Sequence, residues 1–419
     1  QLELYALDYG AGDLKALEQL PHTAAVVLAA DRERQMRLLR HLRAELDRRR
    51  TEAADVRIVV LIDNLAALRA EFDDTEGMEL MEDLTRIYAD GPEVGIQFAV
   101  TADRLNSVHG GWMSITTHKW LFRLPDVHDY ASAGLSRKHV PQAVRGRAVM
   151  SPSGLQMQIG KPSTSLPEAV AQVAARYAGA PHRSASIGVL PSEVALAVLR
   201  LDGDLSDEPW RIPFGVRESD LDVAELLLYE GEHALVTGPA RGGKTMTLWT
   251  LAESLRRAQA AAGGAAELHL AAIGGRRSTL GDCPALDRYA GAGGEATALM
   301  AQLRMLKGPV VVFIDDAESF DDGDGAIEGL LGAARPDLHV IAAGRGDTLR
   351  SMYSHWTVAV RRSKNGILLR PNIDLDGDLV GVNLPRRSPV PLIVGRGYLA
   401  QNGEVQLVQV AMGGDGAPA

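Results

Sequence analysis

Residues 238–245 read Gly238-Pro239-Ala240-Arg241-Gly242-Gly243-Lys244-Thr245, which fits the pattern G-x-x-x-x-G-K-[ST]. The apolar run 234–237 before it predicts a β-strand, and a helical spacing of apolar residues begins at Met246. A strand and a helix that hold such a loop direct successive backbone N–H groups at a phosphate, and the helix dipole adds to the attraction. The stretch therefore predicts an α/β fold with a nucleotide-binding loop.

Each residue of this loop has an expected role. The Lys244 ammonium would bridge the β and γ phosphates, and the Thr245 hydroxyl would complete the coordination shell of a magnesium ion. ATP and Mg²⁺ are therefore the expected cofactors, although no local signature separates ATP from GTP. Arg241 is expected either to reach a phosphate or the base, or to be exposed. The residues predicted to bind the nucleotide are Gly238, Pro239, Ala240, Arg241, Gly242, Gly243, Lys244, Thr245 and Met246.

A second part of the site is expected on another strand. The apolar run 309–314 ends in two acids, Asp315 and Asp316. Asp315 is predicted to hold magnesium through water, so that it forms the metal site together with Thr245. Asp316 stands where a glutamate often acts as the base that polarises the attacking water. Because aspartate is one methylene shorter, we expect a weakened base; an acidic surface turn after a buried strand is the alternative interpretation.

Several landmarks recur in one order along the chain, which predicts two units of one fold. An apolar run followed by glycines opens the chain at 1–12 and recurs at 267–275. Asp63-Asn64 recurs as Asp315-Asp316. The remaining pairs are the runs 95–102 and 338–343, the segments 118–123 and 355–361, and the Gly-Arg steps 146–147 and 395–396.

The first unit is expected to be degenerate. With residue 267 set equivalent to residue 1, the counterpart of Lys244 would fall before the first residue. The first unit should therefore lack its phosphate loop, and the chain should be a fragment, truncated at its N-terminus, of a longer polypeptide. The amide of Asn64 cannot accept a proton from water as a carboxylate does. We expect this unit to be catalytically silent.

Composition sets the predicted domain limits. Residues 1–160 form the degenerate domain, and residues 187–412 form the domain with the intact loop. Glycine, proline and serine on both sides of a short helix predict a linker at 161–186, and the glycine-rich end predicts a loose tail at 413–419. Apolar strands alternate with helical patterns in both domains. This alternation predicts mainly parallel sheets covered by helices, with ligands at the carboxyl ends of the strands.

Bulk properties exclude some classes of function. The net charge of −10 argues against a broad electrostatic contact with DNA. The arginine-rich helix predicted at 31–50 carries interleaved acids, which is typical of an amphipathic surface helix; nucleic-acid or partner binding is the alternative. One cysteine, Cys283, excludes an intramolecular disulfide and a cysteine-based zinc site. No apolar run has the length of a membrane span and no signal-peptide pattern opens the chain, so a cytoplasmic location is expected.

The phosphate loop, the predicted strand that ends in Asp315 and Asp316, and the tandem units together resemble the FtsK/SpoIIIE branch of RecA-like motor ATPases. Within that branch the chain is most similar to the C-terminal tandem ATPase domains of the EccC/EssC proteins of type VII secretion. The residues that carry this resemblance are Leu7-Asp8-Tyr9-Gly10-Ala11-Gly12 followed by Leu20-Pro21-His22, then Ile212-Pro213-Phe214-Gly215, and finally Gly395-Arg396-Gly397.

The resemblance implies two tandem RecA-like domains of a membrane-anchored bacterial motor. Its implied partners are upstream domains of the same polypeptide, further copies in a homo-oligomeric ring, and small secreted substrates that form helical hairpins. It also implies that arginines from neighbouring domains or subunits contribute to a nucleotide site. Arg104 and Arg345 each follow a predicted strand and are the candidate arginine fingers, with ordinary surface arginines as the alternative.

The function expected on these grounds is an ATP-binding and weakly hydrolysing module of a protein export ATPase. A DNA translocase of the same branch is the first alternative, and the acidic net charge weighs against it. A nucleotide-gated scaffold without useful turnover is the second alternative, which Asn64 and Asp316 favour.

Overall fold

The computed structural model describes residues 2–105, 108, 110–161, 163–179, 186–200, 205, 208–261, 268–333 and 335–414. The chain divides into two compact units, residues 1–188 and 189–419. Some sequence predictions fall partly outside the described residues. These are the start of the second glycine landmark (residue 267), part of the linker (180–185) and the end of the tail (415–419).

The first unit contains a four-stranded parallel sheet. Its strands are β1 (Leu2–Asp8), β2 (Thr23–Leu28), β3 (Arg57–Asp63) and β4 (Ile96–Val100). They are arranged in the order β2-β1-β3-β4. The helices that accompany the sheet are α1 (Arg32–Thr51), α2 (Leu65–Glu71), α3 (Thr75–Asp90) and α4 (Gly110–Ile115). The leucines of α1 at 38, 39, 42 and 46 are fully buried against this sheet's core, as their spacing predicts.

Several arginines of α1 are paired with acids of the same unit. Arg37 donates to Glu33 at 2.8 Å, and Arg43 donates to Asp83 of α3 at 2.7 Å. Arg48 donates to Glu45 through two nitrogens, each at 3.0 Å. These contacts favour the amphipathic-helix interpretation of residues 31–50, because paired guanidinium groups are less available to phosphates.

The rest of the first unit is a small antiparallel sheet and two helices. The strands, in the order in which they pair, are β5 (Lys119–Leu121), β6 (Arg147–Ser151) and β7 (Gln156–Gln158). The helices are α5 (His128–Ser132) and α6 (Leu166–Arg176). A capping box begins α6, in which Ser165 and Glu168 each accept a hydrogen bond from the other's backbone N–H.

The second unit is built on one ten-stranded sheet in the order β12-β11-β13-β14-β10-β15-β16-β17-β8-β9. The strands are β8 (Trp210–Arg217), β9 (Val223–Leu228), β10 (Ala234–Thr237), β11 (His269–Ile273), β12 (Arg288–Ala290), β13 (Val310–Ile314), β14 (Leu338–Gly344), β15 (Gly366–Leu369), β16 (Arg396–Gln401) and β17 (Glu404–Val410). The helices are α7 (Lys244–Ala261), α8 (Gly294–Met305), α9 (Ala326–Leu331), α10 (Gly346–Ser351) and α11 (Thr357–Arg361).

This sheet is parallel from β12 to β15 and antiparallel from β15 to β9. Both faces of its central strands are buried. In β13, Val310 and Val312 belong to one hydrophobic core, while Val311 and Phe313 belong to the other. Burial on both faces explains why the sequence of β13 is a continuous apolar run rather than an alternating one. The predicted fold class of mainly parallel sheets covered by helices is confirmed.

One of the predicted equivalences between the two units is wrong. The segments 118–123 and 355–361 were paired in the sequence, but the first contains strand β5 and the second contains helix α11. Lys119–Leu121 pairs with β6, whereas Trp356 and Val360 are buried in the core of the second unit. A short apolar run fits either a strand or a buried helix, and tertiary pairing decides between them.

The predicted linker and tail contain ordered structure. In the segment 161–186, helix α6 packs against the 3₁₀ turn Asp13–Gln19 of the first unit, and the boundary between the units falls after residue 188. At the other end, the Gly413 N–H donates to the Thr250 hydroxyl and the Gly414 N–H donates to the Glu253 carboxylate. Residues 413 and 414 are thus held on α7.

Two buried histidines at the base of this sheet predict acid sensitivity. Burial, together with the neighbouring His339, lowers the pKa of His233 from 6.5 to about 4, and burial also lowers the pKa of His339. Between about pH 6.5 and pH 4 the unfolded chain therefore binds more protons than the folded chain. We expect the free energy of unfolding to fall as the pH falls through this window, by an amount on the order of 3 kcal/mol for His233 alone.

The measurement is the urea midpoint of unfolding at several pH values from 7.5 to 4.5, for the natural chain and for His233→Asn. The asparagine oxygen can replace Nδ1 as acceptor of the Val340 N–H, which lies 3.2 Å away, but it does not titrate. We expect a shallower pH dependence in the variant. If the urea midpoints of the two proteins fall equally with pH, His233 is not the source of the acid sensitivity.

Candidate functional site

The phosphate loop connects β10 to α7 in the second unit. The strand ends at Thr237 and the helix begins at Lys244, as the sequence predicts. A Cβ atom on Gly238 would lie 2.8 Å from the Leu369 carbonyl oxygen, so only glycine fits where the loop passes β15. Gly243 has φ +103°, a conformation that glycine adopts readily. The loop's glycines therefore set its backbone path.

Lys244 lies over this loop. Its side chain is 9% exposed, and its Nζ donates to the carbonyl oxygens of Gly238 and Pro239 at 3.2 and 3.1 Å. The ammonium group is thus placed among the backbone groups that are expected to surround a phosphate. Pro239, Ala240 and Arg241 are exposed at the outer side of the loop, and Met246 is exposed in the first turn of α7.

Asp315 is the centre of the polar network beside the loop. It is 1% exposed at the carboxyl end of β13, and its Oδ2 accepts the Thr245 hydroxyl at 2.8 Å. The two residues predicted to hold magnesium are thereby brought together. The same carboxylate oxygen also accepts the hydroxyl of Ser278 at 2.6 Å.

Ser278 was missed by sequence reasoning. It lies in the loop that follows β11, and β11 pairs with β13 in parallel, so the loop after β11 reaches the carboxyl end of β13. No short motif marks this serine. The available signal was the expectation that neighbouring parallel strands carry ligand-binding residues at the same edge of the sheet.

Asp316 follows Asp315 in a left-handed conformation with φ +53° and is half-buried. Burial raises the pKa of its carboxyl group, the Asp315 charge raises it further, and the Lys244 charge opposes both. A higher pKa makes the carboxylate a better proton acceptor. The side chain also lies close to the loop after β11, since a Cβ on Gly275 would be 3.4 Å from its Oδ2.

These residues fit a magnesium nucleotide. Hydroxyl and carboxylate oxygens are hard donors of the kind that Mg²⁺ prefers, and Thr245 and Asp315 are close enough to share one coordination shell. Lys244 lies on the same loop as Thr245, so a bound triphosphate would contact both. The donor set is therefore suited to a nucleotide held by backbone N–H groups, one ammonium and one metal ion.

The candidate arginine fingers lie at strand ends. Arg345 follows β14 as the residue before α10, and its guanidinium donates to Asp347 at 2.9 Å on the surface. Arg104 follows β4 in the first unit and lines a cavity of about 400 Å³ together with Trp112 and Lys119. The described hydrogen bond of the Arg345 guanidinium is to Asp347 and not to the phosphate loop. Both finger assignments stay predictions.

In the first unit, strand β3 ends in one carboxylate, Asp63, and the next residue is the amide Asn64. Asp63 at the end of β3 accepts the Thr101 hydroxyl at 2.6 Å. Asn64, the counterpart of Asp316, accepts the backbone N–H of Ala67 at 3.2 Å and so caps α2. Its side-chain oxygen is therefore used to begin a helix.

Within the described ranges, none of the helices combines the length and the apolar character that crossing a membrane requires. A model of the FtsK/SpoIIIE family matches residues 1–71. The ESX-1 secretion system protein EccCb1 of Mycobacterium tuberculosis is 27% identical over 297 residues, covering 61% of this chain and 48% of that protein. The ESX-4 secretion system protein EccC4 of the same species is 26% identical over 466 residues, covering 98% of this chain and 36% of that protein. The chain thus spans about half the length of EccCb1 and less of EccC4.

Solved structures show the same architecture. ATPases 2 and 3 of Thermomonospora curvata EccC, in complex with a signal sequence peptide, superpose with a TM-score of 0.74 at 21% identity, covering 99% of this chain and 83% of that chain. ATPases 2 and 3 of EssC from Geobacillus thermodenitrificans give a TM-score of 0.68 at 19% identity, covering 98% and 85%. The family model, the curated relatives and this shared tandem fold show that the chain is similar to proteins of the FtsK/SpoIIIE family, and in particular to ATPases 2 and 3 of the EccC and EssC secretion proteins.

Proposed function

We propose that the second unit binds ATP with magnesium and hydrolyses it slowly, as a module of a protein export ATPase of the type VII secretion kind. The observation that carries this proposal is the contact between the loop hydroxyl of Thr245 and the buried carboxylate of Asp315. This contact supports the proposal because it brings together the two residues that would hold the metal. Lys244, on the same loop, supplies the positive charge for the phosphates.

Magnesium, when bound with the nucleotide, would neutralise the charge of the phosphate oxygens. The chain's own residues have separate tasks. Lys244 would bind the β and γ phosphates, and Thr245 with Asp315 would hold the metal. Asp316 would accept the proton of the attacking water, and its short side chain reaches less far than a glutamate would. We therefore propose that turnover is slow.

The wider role is proposed from the relatives. One related structure contains a signal sequence peptide, which supports a role in recognising small helical-hairpin secreted substrates. The relatives are longer than this chain, which supports upstream domains of the same polypeptide as partners and a homo-oligomeric ring as the working assembly. A related structure is described as a cytoplasmic domain, which supports a cytoplasmic location for this part of a membrane-anchored protein.

Particular observations favour one of the two alternatives and weigh against the other. A nucleotide-gated scaffold is favoured by Asn64, whose amide caps a helix, and by the short Asp316. Two observations weigh against a DNA translocase. The net charge is −10, and arginines of α1 such as Arg37 and Arg43 are paired with acids.

Steady-state ATP hydrolysis as a function of protein concentration tests the proposal. The natural chain is compared with Asp316→Glu, which places the carboxylate one methylene further out. We expect the variant to hydrolyse ATP about tenfold faster, because general base catalysis contributes roughly 10² to 10⁴ in rate and a better placed base recovers part of it. Turnover per chain that rises with concentration would show that neighbouring chains complete the site.

The matched control is Asp321→Glu, the same substitution at an exposed position beyond the site. It should leave the rate unchanged. No turnover in either the natural chain or Asp316→Glu, with ATP shown to bind, would contradict the motor function and support the scaffold.

A further inference from the structure

The turn that precedes β16 lies directly against the phosphate loop. The backbone N–H of Gly395 donates to the carbonyl oxygen of Gly242 at 3.1 Å. A Cβ on Gly243 would lie 3.2 Å from the Gly395 nitrogen and 3.4 Å from its Cα. The two central glycines of the phosphate loop therefore contact Gly395 across the sheet, although about 150 residues separate them.

The contact has a consequence for the direction of the next N–H group. A trans peptide is planar, so its C=O and N–H point to opposite sides. The described cis bonds are Ser151-Pro152 and Glu208-Pro209, so the Gly242–Gly243 peptide is trans. Because Gly395 holds the Gly242 oxygen on the side of β16, the Gly243 N–H of the same trans peptide points away from Gly395. A phosphate-binding loop presents such N–H groups to the phosphate.

Glycine makes this support necessary. The peptide between two glycines meets little steric resistance to rotation, and Gly243 has φ +103°. Without a fixed acceptor for its N–H or a fixed donor for its C=O, this peptide would sample several orientations. Each orientation other than the observed one would turn a phosphate-binding donor away and reduce the affinity for the ligand.

A buried arginine fixes the turn that carries Gly395. Arg396 is 5% exposed. Its guanidinium donates to the Gln409 side-chain oxygen at 3.0 Å and to the Pro391 carbonyl at 3.3 Å. It also donates to the carbonyls of Leu190 and Pro191, at 3.2 and 2.8 Å, at the start of the second unit. The planar five-donor group of arginine suits this set of acceptors, and lysine could serve only part of it.

We propose that the Gly395-Arg396 step is a positioning element of the nucleotide site: Arg396 holds the turn, and the Gly395 N–H sets the Gly242–Gly243 peptide for phosphate binding. This inference rests on the proposed binding of ATP by the second unit. The described hydrogen bonds of Arg396 are to carbonyl and amide oxygens of the second unit. The residues that touch phosphate are those of the loop, and Gly395 acts through them.

The test compares two glycines with similar positive φ values. Gly395 has φ +72°, and a Cβ there would lie 2.9 Å from the Gln409 side-chain nitrogen. Gly403 has φ +79° in the turn between β16 and β17, and a Cβ there meets nothing within 4 Å. Alanine at either position strains a left-handed backbone, but only Gly395→Ala displaces the N–H beneath the phosphate loop. The probe is a fluorescent ADP analogue with magnesium, and thermal melting is followed in parallel.

We expect Gly395→Ala to raise the Kd for the analogue about tenfold, which is the effect of roughly one misdirected hydrogen bond. Gly403→Ala should lower the melting temperature to a similar extent while the Kd stays unchanged. Arg396→Lys is the second variant, because it keeps the charge and decides the question if Gly395→Ala fails to fold. Its control is Arg211→Lys, at a 54% exposed position on β8. Arg396→Lys should weaken binding and Arg211→Lys should not.

The outcomes separate this inference from the proposed function. If the natural chain binds the analogue and both Gly395→Ala and Arg396→Lys bind it equally well, the positioning role is wrong and the nucleotide site stands. If Gly403→Ala weakens binding as much as Gly395→Ala, general strain explains the effect and the positioning role is again wrong. If the natural chain does not bind the analogue, the proposed function fails and the inference fails with it.

Discussion

Replacing Lys244 with alanine is expected to weaken the binding of Mg-ATP by roughly a hundredfold or more and to reduce hydrolysis below detection. The ammonium would form charge-assisted hydrogen bonds with two phosphates, and each such bond contributes about 1.5 to 3 kcal/mol. The fold should persist, because the described hydrogen bonds of Nζ are to the carbonyls of Gly238 and Pro239 within the loop itself. Isothermal titration with Mg-ATP measures the affinity, and a thermal melt checks the fold.

The matched control for this variant is Lys307→Ala. Lys307 is exposed and lies before the amino end of β13, whereas the site lies at the carboxyl end of that strand. The Lys307→Ala variant should bind Mg-ATP with the affinity of the natural chain. Retention of full Mg-ATP affinity by Lys244→Ala would show that the nucleotide site lies elsewhere in the protein.

Replacing Asp315 with asparagine is expected to reduce ATP hydrolysis by about 10² to 10³ and to remove most of its dependence on magnesium. The amide keeps an oxygen that can accept the hydroxyls of Thr245 and Ser278, so the shape of the site is preserved. The negative charge that would hold the metal is lost, and transition-state charge is then poorly neutralised. Binding of ADP without magnesium should change little, because the phosphate contacts of the loop remain.

The measurement is a titration of the hydrolysis rate with Mg²⁺, combined with ADP binding in the presence of a chelator. Asp321→Asn is the control, since it removes the same charge from an exposed residue. If Asp315→Asn hydrolyses ATP at the natural rate with an unchanged magnesium requirement, Asp315 has no role in holding the metal.

How far the sequence predicts the site depends on how local each part is. The phosphate loop is contiguous, and its strand and helix have the predicted residues because periodicity and glycine content act within a few residues. The strand that precedes Asp315 and Asp316 was predicted for the same reason, because its apolar run and the two acids after it are contiguous. Ser278 and the contact of Gly395 with the loop were not predicted, since both depend on which strands are neighbours in the sheet.

Segments 118–123 and 355–361 also show that local sequence does not decide every feature of the fold. Their sequences are alike, yet one forms a strand beside β6 and the other forms the helix α11. Local composition does not choose between these states when the segment is short and apolar. The choice is made by the partners that the rest of the unit provides.

The amino-acid sequence alone therefore determined the fold class, the phosphate loop and the two acids that follow β13, because each depends on residues adjacent in the chain. Tertiary structure decided which distant groups complete the site. The strand order of the second sheet brings the loop after β11 to Asp315 and the turn before β16 to Gly242. Sheet order is set by hydrogen-bond pairing and by the burial of both faces of the sheet. No short stretch of the chain determines either property.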